Sequence, residues 1–360
     1  MTHPYREQPP SAFWKRTISP HHPLDVSDWY IRRFDLNGLR IATAGSCFAQ
    51  HIGRHLRNKG FRYLDMEPLP AVLPAEEALT FGYGMYSARY GNIYTSRQLL
   101  QLLQRSLGAF VPGEDYWEKN GGVVDPFRPT IEPEPFGSVH ELRVLRDNHL
   151  QRVLEMFRQA DVFVFTLGLT EAWLSRRDGA VFPLCPGTAG GSFDPALHEF
   201  RNLGFAEVRA DMDAFLALAK AINPSLRMLL TVSPVPLAAT ASAQQVAVAT
   251  SYSKSVLRAV AGDLWQSDPS VDYFPSYEII TAPFMRGCFY EPDAREVSTH
   301  GINHVMSIFF SQHVPRVSDV MLRESSITDL SAQEMFRAEN DERVKCDEEQ
   351  LAAFGEAAGE

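Results

Sequence analysis

The sequence predicts an α/β protein with a mostly parallel sheet of about five strands and helices on both faces. Short apolar segments alternate along the chain with longer segments whose apolar residues recur at helical spacing. The segment VFVF at 162–165 is apolar at every position, which is typical of a strand buried on both faces. Ligands of such folds bind at the carboxyl ends of the strands, so we expect the functional site at that edge of the sheet.

The best-defined unit is residues 39–60, which predict a buried strand, a tight turn and an amphipathic helix. Gly45 breaks the apolar strand, and Ser46 follows where the helix should start. Gly60 stands where a glycine would end the helix. The helix presents one apolar face, with residues spaced by four: Phe48, Ile52 and Leu56.

The rest of the chain continues the alternation. Further strands are predicted near 61–66, 162–167, 228–234 and 271–276, and helices near 96–107, 139–160, 205–222, 252–267 and 302–315. Glycine and proline predict an irregular excursion over 108–137 and a long loop over 176–204. Loops of that length are uncommon in compact domains and often functional.

Three regions are expected: an extended arm over 1–38, one α/β domain over 39–318, and an acidic, partly helical or disordered tail over 319–360. The net charge of −10 gives nucleic-acid binding no support. Four widely separated cysteines indicate free thiols in a reducing compartment. The sequence shows neither a secretory leader nor a membrane span, so we expect a cytoplasmic location.

Five ordered motifs resemble those of one known family. They are GSCFA at 45–49, YGNIYT at 90–95, TLGLTEAW at 166–173, SPVP at 233–236 and YFPSYE at 273–278. They resemble the GSCFA-domain family, which is grouped with the SGNH (GDSL-like) hydrolases. The resemblance implies a flavodoxin-like three-layer sandwich and a serine hydrolase or acyltransferase, often acting on ester groups of carbohydrates or lipids.

The resemblance also implies roles for individual residues. Ser46 matches the serine nucleophile, and Gly91 matches the glycine whose N–H helps to bind the oxyanion. The third motif contains Gly168, Thr170 and Glu171, which would bind the oxyanion or the substrate. Thr170 takes the place of the usual asparagine, and Asn92 is the alternative source of the amide.

The base is the least defined part of this set. His300 lies at the right place relative to the last helix, with Asp293 or Glu296 as the carboxylate that would orient it. His198, in the long loop, and His304 are the other candidates. Acyl transfer by serine needs such a base, an orienting group and oxyanion donors.

Simpler interpretations compete with these roles. Ser46 is also suited to cap a helix, and Thr170 could do the same. Asn92 suits a turn. Cys47, at a helix start, is a rival nucleophile. His51 and its i+4 neighbour lack a third ligand, so a solvated helix face is favoured over a metal site.

The sequence as a whole therefore predicts an SGNH-like enzyme that cleaves or transfers an O-acyl group, with O-acetyl on a saccharide as the first candidate. Trp173, Tyr83 and Tyr86 would provide a flat surface for a sugar ring. The reaction would use no metal and no organic cofactor. A small-molecule or carbohydrate ester is the expected partner, and the oligomeric state is open. The alternative is a non-catalytic binding protein on a degenerate SGNH fold.

Overall fold

The fold is described from a computed structural model covering residues 3–313, 344–351 and 354. Its strands are β1 (Ile41–Gly45), β2 (Trp117–Lys119), β3 (Gly122–Val124), β4 (Val162–Leu167), β5 (Glu171–Ser175), β6 (Val181–Phe182), β7 (His198–Asn202), β8 (Arg227–Val232) and β9 (Val271–Tyr273). Its α-helices are α1 (Trp14–Thr17), α2 (Phe48–Asn58), α3 (Ser96–Ser106), α4 (Val139–Gln159), α5 (Phe205–Ile222), α6 (Val246–Ser267), α7 (Ser276–Thr281) and α8 (Thr299–Gln312).

The central sheet contains four parallel strands in the order β1-β4-β8-β9. The predicted strand at 61–66 contributes a single parallel bridge, from Tyr63 to Ile41 at the outer edge of β1. With that bridge the spatial order is the one found in flavodoxin-like folds, in which the first strand lies inside the second. The predicted α/β class is thus confirmed, and the count of about five strands holds only if this bridge is included.

Alternate residues of each strand face opposite layers, because successive side chains in a strand point to opposite sides. Phe163 and Phe165 of β4 pack in a core with α3, α4, α5 and α6. Val162 and Val164 of the same strand pack in a second core with α2, α7 and α8. The sheet therefore lies between two helical layers, which is the predicted three-layer sandwich.

Two regions predicted to be irregular contain additional strands. Residues 108–137 include the antiparallel hairpin β2–β3, and the loop predicted over 176–204 supplies β6 and β7 of an antiparallel sheet ordered β6-β5-β7. The loop predictions are wrong there. Strands this short carry too little periodic pattern to be recognised, and their pairing depends on distant partners.

The sequence predicts that the face of α2 with His51 and His55 is solvated, but the structure partly covers this face. His51 is buried against the ring of Phe48, and His55 is half-buried, with its Nδ1 at 2.9 Å from the His51 carbonyl oxygen. Burial lowers the pKa of His51 to about 3, so this ring is neutral at physiological pH. The prediction of a solvated face is wrong for His51, because packing around α2 reaches beyond its apolar stripe.

The N-terminal arm packs against the far edge of the central sheet. Tyr30 is buried and donates its hydroxyl hydrogen to the Asp272 carboxylate in β9, at 2.6 Å. The Arg33 guanidinium bonds the carbonyl of Val271 at 2.7 Å. The arm thereby covers the edge that β9 would otherwise expose.

Residues 344–351 of the predicted tail lie on the carboxyl edge of the sheet, where Asp347–Leu351 form a 3₁₀ helix. Most other residues of that tail lie outside the described part of the chain. In the described residues, none of the helices is both long and apolar enough to cross a bilayer.

Candidate functional site

Ser46 lies in the turn between β1 and α2, at the carboxyl edge of the sheet. Gly45 has φ +145°, and a Cβ there would lie 2.6 Å from the carbonyl oxygen of Thr166, so the turn requires glycine. The Ser46 side chain is buried, and its Oγ has no hydrogen-bond partner among the described residues. The N-cap of α2 is Cys47, without a side-chain cap bond, so the interpretation of Ser46 as a helix cap is wrong.

Gly168 brings the third motif against Ser46. A Cβ built on Gly168 would lie 3.0 Å from Ser46 Cβ, which shows how closely the two turns approach. The Gly168 N–H donates to the carbonyl of Tyr94 at 3.1 Å, and the Gly168 carbonyl accepts from Lys254 Nζ at 2.7 Å. The glycine is thus a spacer between the serine and a buried lysine, and its own N–H is already engaged.

Lys254 is a basic residue that no sequence motif singles out. It belongs to α6, its side chain is buried, and burial lowers its pKa to about 8. The neighbouring charges of Glu348 and Arg295 act on it in opposite directions. Both Lys254 and Ser46 contact Gly168, so an amine that is partly neutral near physiological pH lies close to the serine turn.

The second motif supplies an oriented amide. Gly91 has φ +69° and makes the turn that precedes Asn92, whose side chain is buried. Tyr86 Oη lies 2.7 Å from Asn92 Oδ1 and 2.8 Å from the carbonyl oxygen of Ser46. Gln50 Nε2 also donates to Asn92 Oδ1, at 3.2 Å. These contacts fix the amide so that its Nδ2 hydrogens point away from the tyrosine.

Thr170 and Glu171 hold the start of β5. The Thr170 hydroxyl donates to Asn202 Oδ1 at 2.7 Å, and its N–H donates to Ser253 Oγ at 3.0 Å. A strand follows Thr170, so its interpretation as a helix cap is wrong. The hydroxyl and the N–H of Thr170 are thus both engaged in bonds within the protein. Glu171 accepts from the Thr240 hydroxyl at 2.5 Å, and burial raises the pKa of Glu171.

His198 has a defined structural partner. Its Nδ1 accepts from the N–H of Asp194 at 3.1 Å, so the ring proton is on Nε2, which lies 3.0 Å from Glu114 Oε2. The ring is buried in contact with Phe182. These bonds tie β7 to the segment that leads into β2.

His300 lies on the first turn of α8 and is exposed. Its ring packs against Phe289 at a centroid distance of 5.6 Å, and it makes no hydrogen bond to any described residue. Asp293 Oδ1 accepts from the N–H groups of Arg295 and Glu296, both at 3.0 Å, and so stabilises a local turn. The structure does not form the expected pair between His300 and the carboxylate of Asp293 or Glu296.

Residues 344–351, hereafter the C-terminal segment, lie directly on this site. Lys345 N–H donates to Gln50 Oε1 at 3.1 Å, and the Lys345 carbonyl accepts from Gln50 Nε2 and Asn92 Nδ2, each at 2.9 Å. The Asp347 carboxylate accepts from Asn92 Nδ2 at 2.8 Å and from the Thr130 hydroxyl at 2.6 Å. The sequence alone indicates only that these residues belong to an acidic tail.

Ionisable groups of the C-terminal segment and of the domain meet at this contact. Arg295 lies 3.7 Å from both Glu348 Oε2 and Cys346 Sγ. Burial raises the pKa of Glu348 to about 7. A hydrogen bond with Cys47 lowers the pKa of Cys346 and raises that of Cys47, which disfavours Cys47 as a thiolate nucleophile.

An apolar cavity of about 440 Å³ opens beside the site. The C-terminal segment contributes Glu348 and Leu351 to its wall. Phe354 lines it as well, and the remaining lining residues come from the β5–β7 region and the loop after β8, including Leu169, Trp173, Leu184, Phe193 and Leu237.

The three aromatic residues predicted to form a sugar platform do not lie together. Trp173 lines the apolar cavity. Tyr86 is buried below Asn92, and Tyr83 stacks with Arg89. A flat surface built from all three is therefore absent from the described residues, because their spacing in the sequence does not place their side chains on one face.

Comparisons with known proteins agree with the motifs. The model of the GSCFA family matches residues 40–309. Among curated proteins, none matches this sequence significantly.

Three similar solved structures are esterases at low identity. An acetyl esterase with acetate ion, in which a serine is replaced by alanine, is 10% identical, with TM-score 0.34, and the match covers 76% of this chain and 95% of that one. A carbohydrate esterase family 3 protein from Talaromyces cellulolyticus is 12% identical, with TM-score 0.29 and coverage of 76% and 95%. A Clostridium thermocellum family 3 carbohydrate esterase is 11% identical, with TM-score 0.26 and coverage of 80% and 99%. At these TM-scores the likeness carries no inference about activity.

Proposed function

This chain belongs to the GSCFA family, and we propose that it is a serine ester hydrolase or acyltransferase. Its substrate would be an O-acyl ester of a small molecule, with the O-acetyl group of a saccharide as the first candidate. Ser46 is the nucleophile in this proposal. The observation that carries it is the buried Ser46 hydroxyl, which has no partner among the described residues and lies in a glycine-dependent turn.

The proposed reaction follows from the groups around the serine. Ser46 Oγ bonds to the acyl carbon and gives its proton to a base, and the carbonyl oxygen becomes an oxyanion. Asn92 Nδ2 is the proposed oxyanion donor, because its amide is held rigidly by Tyr86 and Gln50. The alcohol leaves with the proton from the base. Water or an acceptor alcohol then takes the acyl group from Ser46.

Two residues are candidates for the base. His300 is the one that the family resemblance implies. Neither His300 nor Lys254 hydrogen-bonds to Ser46 Oγ, so either side chain would have to move to take its proton. Lys254 is the one that the geometry favours, since it is buried and bonds the glycine that touches Ser46. Lysine replaces histidine as the partner of serine in some hydrolases, and a pKa lowered towards neutrality suits that role.

Substitution of the serine tests the nucleophile. Ser46→Ala should lower p-nitrophenyl acetate hydrolysis at least about 10³-fold, because no covalent acyl intermediate can form. Ser311→Ala, which removes an exposed hydroxyl on α8, is the matched control and should leave the rate unchanged. Labelling by a fluorophosphonate should disappear in the Ser46 variant and persist in the control. Unchanged hydrolysis by Ser46→Ala would refute the assignment.

Substitution of each candidate base shows whether Lys254 or His300 takes the proton from Ser46. Lys254→Met keeps the apolar stem and should lower kcat by about 10²–10⁴-fold, the usual contribution of a general base. Lys220→Met, at an ion pair near the surface, is its control. With a lysine base, kcat/KM should rise with pH through the pKa of Lys254, which burial lowers. The rise is measured in a chain without the C-terminal segment, because Glu348 of that segment raises the pKa of Lys254. A large loss in His300→Ala with a small one in Lys254→Met would assign the base to the histidine instead.

The apolar cavity supports a substrate with an apolar part. An acetyl group needs far less than 440 Å³, so we assign the cavity to the rest of the ester. Acetate esters of aromatic alcohols should therefore react faster than ethyl acetate. Trp173→Ala should reduce that preference, because the indole lines the cavity.

A non-catalytic binding protein is the second candidate function. The observation that favours it is that His300 hydrogen-bonds neither to Ser46 nor to a carboxylate of any described residue. Such a protein would bind acylated ligands in the same cleft without labelling by a fluorophosphonate, in both the full chain and a chain without the C-terminal segment.

A further inference from the structure

The amide of Asn92 has no hydrogen left for a substrate. A side-chain amide nitrogen carries two hydrogens. In the structure one points to the Lys345 carbonyl and the other to the Asp347 carboxylate, at 2.9 and 2.8 Å. The C-terminal segment thus occupies both donor directions of the residue proposed to hold the acyl oxygen.

The C-terminal segment forms specific hydrogen bonds to the domain through both its backbone and its side chains, as a bound peptide ligand does. Gln50 contacts both polar groups of one backbone residue, because its Oε1 accepts the Lys345 N–H and its Nε2 donates to the Lys345 carbonyl. Thr130 donates to the second oxygen of Asp347. Cys346, Asp347 and Glu348 are each at most 8% exposed. Three consecutive buried residues with specific partners indicate a built binding site.

The charges of the segment and the cleft are complementary. Arg295 lies 3.7 Å from Glu348, and the buried ammonium of Lys254 attracts the same carboxylate. The ammonium of Lys345 donates a hydrogen bond to the carbonyl of Thr130, which adds a further contact between the segment and the domain. Arg295 and Lys254 therefore offset part of the cost of burying Glu348. The carboxylate that the cleft recognises through hydrogen bonds is that of Asp347, which makes an acidic residue at this position the specific feature of the peptide.

The body of the protein does not need the segment for its core. Both large hydrophobic clusters are built from residues between 24 and 310. Residues 314–343 separate the segment from α8. Removal of residues 344–360 therefore takes away a ligand of the cleft and leaves the packed domain in place.

We propose that Gln50, Asn92 and Thr130 form a binding site for an acidic peptide, the chain's own C-terminal segment, and that this segment competes with substrate for the proposed oxyanion donor. The site recognises the N–H and the carbonyl of one backbone residue, Lys345, and the carboxylate of the residue two positions later, Asp347. The competition with substrate rests on the proposed function, whereas the binding of the peptide does not.

The size of the effect follows from the covalent connection between the segment and the domain. An effective concentration of about 1 mM is usual when two binding partners belong to one chain. Because residues 346–348 are buried, we take the segment as docked in about nine molecules of ten, which corresponds to a Kd of roughly 0.1 mM for the free peptide. Deletion of the segment should accordingly raise kcat/KM by about tenfold, by the same arithmetic.

The binding experiment uses a labelled peptide of residues 344–351, VKCDEEQL, under reducing conditions. Fluorescence anisotropy should show saturable binding to the chain lacking 344–360 and at least about tenfold weaker binding to the full chain, where the cleft is taken. The peptide with Asp347→Ala should bind at least about tenfold more weakly, because it loses two hydrogen bonds to a charged group.

The control for that peptide is Gln350→Ala, changed at an exposed position, and it should bind nearly as well as the natural sequence. A peptide that does not bind the shortened chain overturns the proposal, whether or not the protein is an esterase.

The activity experiment compares the same proteins on p-nitrophenyl acetate. The shortened chain and full-length Asp347→Ala should both show a higher kcat/KM than the full chain, and added peptide should inhibit the shortened chain competitively. A shortened chain that remains folded by circular dichroism but loses activity would show that the segment completes the site, which also overturns the proposal. Peptide binding with no hydrolysis in any variant would keep the peptide site and reject the esterase instead.

Discussion

The side-chain amide of Asn92 lies 2.8 Å from the carboxylate of Asp347, although the two residues are 255 positions apart in the chain. Asn92 belongs to a family motif that packs beside the turn between β1 and α2, whereas Asp347 follows the last helix of the domain. The contact therefore joins the proposed catalytic cleft to a segment outside the family match, which ends at residue 309.

Asn92 should have separable effects in the two forms of the chain. In the chain without residues 344–360, Asn92→Ala should lower kcat about 10²–10³-fold, as expected when an oxyanion donor is removed. In the full chain it should also weaken docking of the segment. Steady-state kinetics and peptide anisotropy on both forms measure the two effects. Asn148→Ala, on α4, is the control, and an unchanged kcat in the shortened chain would exclude Asn92 from the oxyanion site.

Docking of the segment should weaken as the pH rises from about 5 to about 7. Burial raises the pKa of Glu348 from 4.5 to about 7 in the docked state, against the opposing effects of Arg295 and Lys254 and with smaller contributions from Asp347 and Glu171. Docking therefore takes up a proton in this interval and is strongest below it. The loss can reach about tenfold in affinity per pH unit.

The measurement is the Kd of the VKCDEEQL peptide for the shortened chain over this range of pH. A peptide with Glu348→Gln should show a much flatter profile, because it has no proton to take up at that position. An affinity of the natural peptide that increases with pH over this range would contradict the assignment.

Gly45→Ala should destabilise the fold by more than about 2 kcal/mol, because it combines steric overlap with an unfavourable backbone conformation. A Cβ at this position would lie 2.6 Å from the Thr166 carbonyl, at a φ of +145° that disfavours any side chain. Gly108→Ala also has an unfavourable φ, of +70°, but with nothing within 4 Å. It should cost only about 1 kcal/mol. Urea denaturation of both variants isolates the steric part, and equal losses would argue against it.

Asp125→Ala should be among the most damaging substitutions outside the site. Asp125 is buried and pairs with Arg128 and Arg146, at 3.0 and 3.2 Å. Burial alone would raise the pKa of Asp125, but these two arginines outweigh it and hold the pKa well below its usual range. Its contribution to stability is therefore present at neutral pH and is lost only in strong acid, as the pH falls through the lowered pKa.

Removal of the carboxylate leaves two buried cations without their partner, at a cost of about 3–5 kcal/mol in the free energy of unfolding. The control is Glu155→Ala, which breaks an exposed pair with Arg158. That substitution should cost at most about 1 kcal/mol. Urea denaturation at neutral pH compares the two, and similar losses would contradict the prediction.

The sequence by itself determined the sandwich and the place of the serine. The alternation of apolar strands and amphipathic helices is a local pattern, and Gly45 followed by Ser46 marks a turn whose chemistry is local as well. The helix bounds of α5, at Phe205–Ile222, match the prediction for the same reason. The family motifs indicated which other segments of the chain belong to the same site as this serine.

The tertiary structure decided which groups surround that serine. Lys254 is one residue of a long helix, and only the packing of α6 against the third motif brings its amine to Gly168. Residues 346–349 resemble a solvated acidic run, because a sequence pattern cannot show that Asn92, Thr130 and Arg295 contact them. Contacts between distant parts of a chain depend on how its elements pack, and a single sequence records the elements but not those distances.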